Sequence, residues 1–134
     1  TLHEILSYIK TSDDVSKAIA ISLEKGLINQ SQVYVIEEVI NSIVNHSELK
    51  EFYDVDAKIY NETSIIDENK NTFIPDRISI KGNKAYLLDY KTGVPKESHK
   101  HQVEKYENLL EKMGYKVEEK ALVYLGENIN IIHL

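Results

Sequence analysis

Hydrophobic residues along this chain change their period near residue 53. Before it they recur every three or four positions, and after it they alternate, apart from one further helical stripe between residues 98 and 113. In "TLHEILSYIK", Leu2, Ile5, Leu6 and Ile9 form one helical stripe. "TSDDVSKAIAISLEKG" predicts a second helix that opens with Thr11 and Asp14 at capping-box spacing and closes near Gly26. "SQVYVIEEVINSIVNHSEL" repeats the stripe at Val33, Ile36, Ile40, Ile43 and Val44, with Ser31 as its expected cap. Ser47 is expected to cap one more short turn leading to Phe52.

Val55, Ala57 and Ile59 then alternate with Asp54, Asp56 and Lys58, which predicts a half-buried strand continuing toward Ile66. "DENKN" (67–71) is a polar turn and "FIPDRISI" (73–80) a second strand. "KGNK" (81–84) predicts a tight hairpin through Gly82-Asn83. "AYLLDYK" is the third strand, ended by Gly93 and Pro95. Ser98 is expected to cap a helix running to Met113, with Val103, Tyr106, Leu110 and Met113 as its stripe and Gly114 as its stop. "KVEEKALVYLG" (116–126) and "INIIHL" predict a fourth and a fifth strand. Helices, a three-stranded meander, a crossover helix and further strands make an α/β fold. The crossover sets the fourth strand parallel to an earlier one, so the sheet is mixed.

Composition narrows the function. With 134 residues, 42% hydrophobic and 28% charged, the chain fits one globular domain spanning residues 1–134. No apolar run is long enough to span a membrane. The start at Thr1, without a signal-like segment, reads as a piece of a longer protein. Absence of cysteine excludes disulfides, a zinc ribbon and a cysteine-held iron–sulfur cluster, and fits a reducing cytoplasm. A net charge of −6 argues against a free-standing, tight nucleic-acid binder, but not against an enzyme handed nucleic acid by a partner. A local basic patch would then draw on Lys91, Lys96, Lys100 and Lys105.

The chemistry concentrates in "LLDYKTG" (87–93). Of five acid-x-Lys triplets, four lie on polar or half-polar ground, and only "DYK" (89–91) lies in an otherwise apolar strand. Asp76 is a second anomaly, interrupting the apolar phase of Ile74, Ile78 and Ile80 just after Pro75. Burying an uncompensated carboxylate is costly, and the hairpin can bring Asp76 and Asp89 onto neighbouring strands. Two close carboxylates repel, and a divalent cation is the usual resolution. Oxygen ligands beside a lysine suit a hard metal at a phosphate site. The competing account is one buried Asp–Lys bridge plus a turn-associated Asp. Taken singly, His3 is a boundary histidine beside the first stripe, and His46, His99, His101 and His133 carry no assigned role. Gln102 and Tyr106 share a helix face one turn apart; by themselves they read as solvated and core, respectively.

"TLHEILS", "NETSIIDENKNTFIPDR", "LLDYKTG" and "QVEKY" together resemble the PD-(D/E)XK nuclease superfamily, in its order. The nearest resemblance is to the RecB-like nuclease domain of UvrD/Rep-type helicase-nucleases of the AddA kind, where the domain forms the C-terminal part of a larger protein. That resemblance implies a restriction-endonuclease-like core and a DNA exonuclease that uses Mg²⁺ or Mn²⁺. Asp76 and Asp89 would be the catalytic acids and metal ligands, joined by His3 and the main-chain carbonyl of Tyr90. Lys91 would position the attacking water and stabilise developing charge. Gln102 and Tyr106 would support the site or touch the DNA backbone. Glu62 falls where relatives carry an acid, although its phase follows the polar side of its strand. The implied partners are DNA, helicase motor domains in the same polypeptide and a second helicase-nuclease subunit, with no membrane. The implied setting is double-strand-break repair in a bacterial cytoplasm. Without cysteines there is no iron–sulfur cluster, and no phosphate-binding G-x-x-x-x-G-K-[ST] occurs in these residues. A non-catalytic DNA-binding scaffold and an RNA-directed nuclease are the alternatives with the same fold.

Overall fold

The change of period coincides with a division of the chain into two compact units, Thr1–Val55 and Asp56–Leu134. The structure, a computed structural model, describes all of residues 1–134.

The first unit is helical: α1 (Leu2–Leu6), α2 (Val15–Glu24) and α3 (Val33–Val44), with 3₁₀ turns at Ser12–Asp14, Gln30–Gln32 and Ser47–Tyr53. The Asp14 carboxylate accepts from the backbone N–H of Lys10 and of Thr11, so the Thr11–Asp14 spacing does start α2. Two expected caps shift upstream. Ser31 lies inside the turn before α3, and it is Asn29 whose N–H is taken by the Gln32 side chain at 2.9 Å. The turn after α3 is capped by His46, whose Nδ1 accepts from the N–H of Glu48, and not by Ser47. In both places a 3₁₀ turn precedes or replaces the regular helix, and the cap belongs to that turn. Helix α1 is shorter than its stripe, yet Ile5, Leu6 and Ile9 are all buried.

The second unit is a mixed α/β layer. Strands β1 (Lys58–Asn61), β4 (Arg77–Lys81), β5 (Lys84–Thr92), β6 (Lys116–Leu125) and β7 (Asn130–His133) form one sheet in the order β1-β4-β5-β6-β7. Strands β2 (Ile65–Ile66) and β3 (Thr72–Phe73) make a separate two-stranded ribbon. The expected long strand toward Ile66 therefore breaks after Asn61, and the expected strand 73–80 breaks between Phe73 and Arg77. Pro75 sits in that second break, where a residue without an N–H cannot continue a ladder.

Gly82, with φ +62°, closes the β4–β5 hairpin, pairing Lys81 with Lys84. Helix α4 (Glu97–Lys112) then crosses over to β6, which pairs with β5 in parallel, as the order of elements predicts. Ser98 lies in the first turn of α4 and the cap position is Lys96. At the other end, Gly114 (φ +98°) follows the helix and Met113 is exposed, so the buried stripe stops at Leu110. Val103, Tyr106 and Leu110 of α4 meet Ile78, Ala85, Leu87, Leu122 and Tyr124 of the sheet in one core. No helix is long and apolar enough to cross a membrane.

Leu87 is fully buried at the middle of β5, under α4. We expect Leu87→Ala to destabilise the fold by about 2–5 kcal/mol, measured by urea denaturation with an unchanged m-value.

Candidate active site

Strand register carries the site. Arg77 pairs with Leu88 and Asn61 pairs with Arg77, so one further step places Glu62, Asp76 and Asp89 in a row across β1, β4 and β5. The two strand-borne acids are both buried, Asp76 at 8% and Asp89 at 2% exposure. They exchange backbone contacts: the N–H of Asp76 donates to Asp89 Oδ1 at 3.0 Å, and the N–H of Tyr90 donates to Asp76 Oδ2 at 2.8 Å. Each carboxylate thus takes an amide of the strand opposite, which offsets part of its desolvation.

Pro75 explains why this exchange occurs there. Carried two steps past its last pair, Arg77 with Leu88, the register would set Pro75 opposite Tyr90. A residue in an extended strand sends its N–H and C=O to the same edge, so Tyr90 presents both toward β4. Pro75 has no N–H to give that carbonyl, and the Asp76 carboxylate takes the place of a backbone acceptor for the amide. The ladder ends, and the edge turns from backbone pairing to side-chain oxygens.

Glu62 joins the row through a kink. Its backbone takes a left-handed conformation (φ +48°) and its N–H donates to the carbonyl of Asp76 at 3.0 Å. One carboxylate oxygen of Glu62 lies within 4.8 Å of one of Asp76. Glu62 keeps the phase of exposed Lys58 and is itself exposed; Asp54 and Asp56 precede β1, and the same parity carries Tyr60, whose partner is Ile78. The other parity of β1 carries Asn61, whose side chain accepts from the fully buried Arg77 guanidinium at 3.2 Å.

Lys91 stands two residues past Asp89 on the same face of β5. Its ammonium lies 3.1 Å from Asp89 Oδ2 and donates to Gln102 Oε1 at 2.5 Å. That second bond orients the amide. With Oε1 given to Lys91, Gln102 has only its NH₂ to offer Tyr106, one turn further along α4. The Tyr106 oxygen therefore accepts from Gln102, and its own O–H proton is directed elsewhere. Burial, then the charges of Asp89 and Asp76, push the Tyr106 hydroxyl up to about 12, so it is a donor at any physiological pH. Gln102 and Tyr106 are accordingly one relay from Lys91, where the residues taken singly read as solvated and core.

The remaining expected residues fall as follows. His3 lies on α1 of the first unit, half-buried. Of the expected basic patch, Lys105 borders a cleft of about 790 Å³ together with Phe73, Gln102 and Tyr106. Lys96 and Lys100 border a different depression, beside Tyr124 and Leu134. His99, to which the sequence assigned nothing, lines the same cleft as Gln102, with Nδ1 2.9 Å from the hydroxyl of Tyr124. Its signal was in the spacing: it sits three residues before Gln102 and four before Val103, on the sheet-facing stripe of α4.

A family model described as the L protein N-terminus matches residues 5–127. The chain belongs to this family. Among 21 solved chains that it matches, the protein described as SSO0001 is 20% identical over 96% of this chain and 65% of its own, at a TM-score of 0.42. This L protein N-terminus domain thus spans less than two thirds of that protein, and a likeness at that level carries no argument. No curated protein matches it.

The raised Tyr106 hydroxyl has a stability consequence. Its folded value lies above the ordinary 10.0, so the stability linked to it is fully present below pH 10 and is lost as pH rises toward about 12. We expect the melting temperature to fall over that window, and to fall less steeply in Tyr106→Phe. Thermal denaturation from neutral to strongly alkaline pH checks this; equal slopes would place Tyr106 outside the field of the two acids.

Proposed function

We propose that the chain is a metal-dependent nuclease domain with a restriction-endonuclease-like fold, hydrolysing phosphodiester bonds of DNA. The observation that carries this reading is the row Glu62–Asp76–Asp89 with Lys91 beside it, at a point where the strand ladder stops. The donor set fits a hard divalent cation: carboxylate oxygens of Glu62 and Asp76 lie within 4.8 Å of one another, in one row with Asp89. Asp76, Asp89 and the Tyr90 carbonyl would hold Mg²⁺ or Mn²⁺, with Glu62 as an outer acid, and the resemblance adds His3. When bound, such an ion polarises the phosphodiester and lowers the pKa of a water nucleophile.

The protein's own groups do the rest. Lys91, held between Asp89 and Gln102, presents its ammonium where charge builds on the phosphoryl oxygens. Asp89 fixes that ammonium in place. Gln102 restrains it from the helix side, and Tyr106 offers an uncharged O–H donor. In-line displacement would leave a 3′-hydroxyl and a 5′-phosphate. The wider setting we propose is exonucleolytic DNA processing in double-strand-break repair, in a bacterial cytoplasm. Helicase motor domains of the same polypeptide, and a second helicase-nuclease subunit, would deliver the strand, compensating for a net charge of −6.

One observation favours a second reading, a non-catalytic scaffold. Asp89 and Lys91 already form a complete, nearly buried ion pair, and both aspartates hold backbone amides. Paired measurements separate the two. In the nuclease reading, the Mn²⁺-loaded parent degrades single- or double-stranded DNA, and Lys91→Ala lowers the rate about 10²–10³-fold. Asp89→Asn should lose metal affinity as well as rate. Lys91→Ala should melt lower without metal, because Asp89 is left uncompensated, and Mn²⁺ should restore more stability to it than to the parent. A metal-loaded parent that cuts neither DNA form would sink the nuclease reading.

His3 is tested by metal choice. An imidazole ligand suits Mn²⁺ better than Mg²⁺. The parent should cut at least as fast with Mn²⁺, and His3→Ala should narrow the difference; an unchanged ratio of rates would remove His3 from the ligand set.

A further inference from the structure

We infer that His99 is a further substrate-contacting residue of this site, with its Nε2–H donating a hydrogen bond to a phosphate oxygen of nucleic acid lying along the cleft. The inference rests on the nuclease reading above. Four observations carry it. His99 occupies a sheet-facing position of α4 where an apolar side chain would be expected, one turn before Gln102. Its Nδ1 is fixed by the hydroxyl of Tyr124, a buried residue of β6 whose register partner is Lys91. Its Nε2 has no hydrogen-bond partner within the protein, and no buried side-chain nitrogen or oxygen lacks one, so Nε2 is open to solvent. The residue lines the cleft that Gln102 and Tyr106 also line.

An imidazole held by one nitrogen and open at the other is an oriented group. With the Tyr124 phenol assigned as donor to Nδ1, the ring proton sits on Nε2, which makes the open nitrogen a donor. The charged groups around it say what it would donate to. Burial, then Lys91 on β5 and Lys96 ahead of α4, hold the imidazole below its ordinary value, and Asp89 opposes them. The ring is therefore neutral at pH 7 and sits in locally positive potential, although the chain as a whole is acidic. Such a locus attracts a polyanion, and an uncharged donor there adds a directed contact without a third repelling cation.

The test uses the full chain as four proteins: the parent and the variants His99→Ala, His99→Gln and Tyr124→Phe. Steady-state cleavage with Mn²⁺ and binding of a fluorescent DNA oligonucleotide with Ca²⁺ are both measured, with melting curves for each protein. A contact made equally in ground and transition states acts on KM. We expect His99→Ala to raise KM and the oligonucleotide Kd about tenfold to a hundredfold, with kcat changed little. His99→Gln keeps a neutral donor and should recover most of the loss, and Tyr124→Phe should fall between. Parent-like KM and Kd in His99→Ala would overturn the inference. So would a His99→Gln as impaired as Ala, which would mark the ring as packing. Should His99→Ala not fold, the Gln and Tyr124→Phe proteins decide by the same two constants. A parent that binds the oligonucleotide but never cuts would sink the nuclease reading alone, because the Kd comparison still judges His99.

Discussion

The second unit depends on one exchange, in which each of two buried aspartates takes a backbone amide from the opposite strand. An aspartate buried to 2% exposure in the middle of a sheet would ordinarily be expelled or neutralised. Here Asp89 is held by the Asp76 amide and the Lys91 ammonium, and Asp76 by the Tyr90 amide. The exchange takes the place of ladder pairing just past the last pair, Arg77 with Leu88. Pro75 stops that pairing, because it brings no N–H opposite Tyr90. The same row then recruits β1, whose last turn delivers Glu62 to the Asp76 carbonyl. Strand geometry, ladder termination and charge placement are therefore a single feature, and each fixes the other two.

That dependence decides what could be read from the sequence. The mixed α/β class, the hairpin at Gly82, the crossover helix and the parallel pairing of β6 follow from period and turn chemistry, and all appear in the structure. Asp76 and Asp89 stood out because each breaks an apolar phase, and register does bring them together. The nearness of Glu62 to Asp76 could not be read from phase alone, because β1 starts only at Lys58 and Glu62, the residue after Asn61, has positive φ. The misplaced caps at Ser31, Ser47 and Ser98 have a related cause. Side-chain type locates a cap only to within the turn, and the backbone of the preceding 3₁₀ or extended segment chooses among neighbours. His99 was legible in principle, since a histidine on the buried stripe of an otherwise ordinary helix needs a partner; Tyr124, 25 residues away, is not visible as that partner from sequence.

Helix α4 has two functions that pull against each other. Its stripe must be apolar to cover the sheet, as Val103, Tyr106 and Leu110 do. Its N-terminal half replaces that stripe with His99 and Gln102, which is affordable only because both find partners on the sheet below: Tyr124 and Lys91. Lys91 and Tyr124 are register neighbours at the end of the one parallel strand pair. The polar stretch of the helix thus lies over the carboxyl ends of parallel strands, the region where open α/β sheets place their ligand sites.

Charge balance distinguishes a site from a structural bridge. Asp89 and Lys91 alone would be neutral and self-sufficient, and nothing more would be needed to stabilise them. Asp76 and Glu62 add two further carboxylates to the same row, with oxygens within 4.8 Å of one another. The backbone amides that Asp76 and Asp89 accept from carry dipoles and no net charge. Carboxylates gathered this closely are what a divalent cation would draw together, and that is the physical ground on which we propose the nuclease reading over the scaffold.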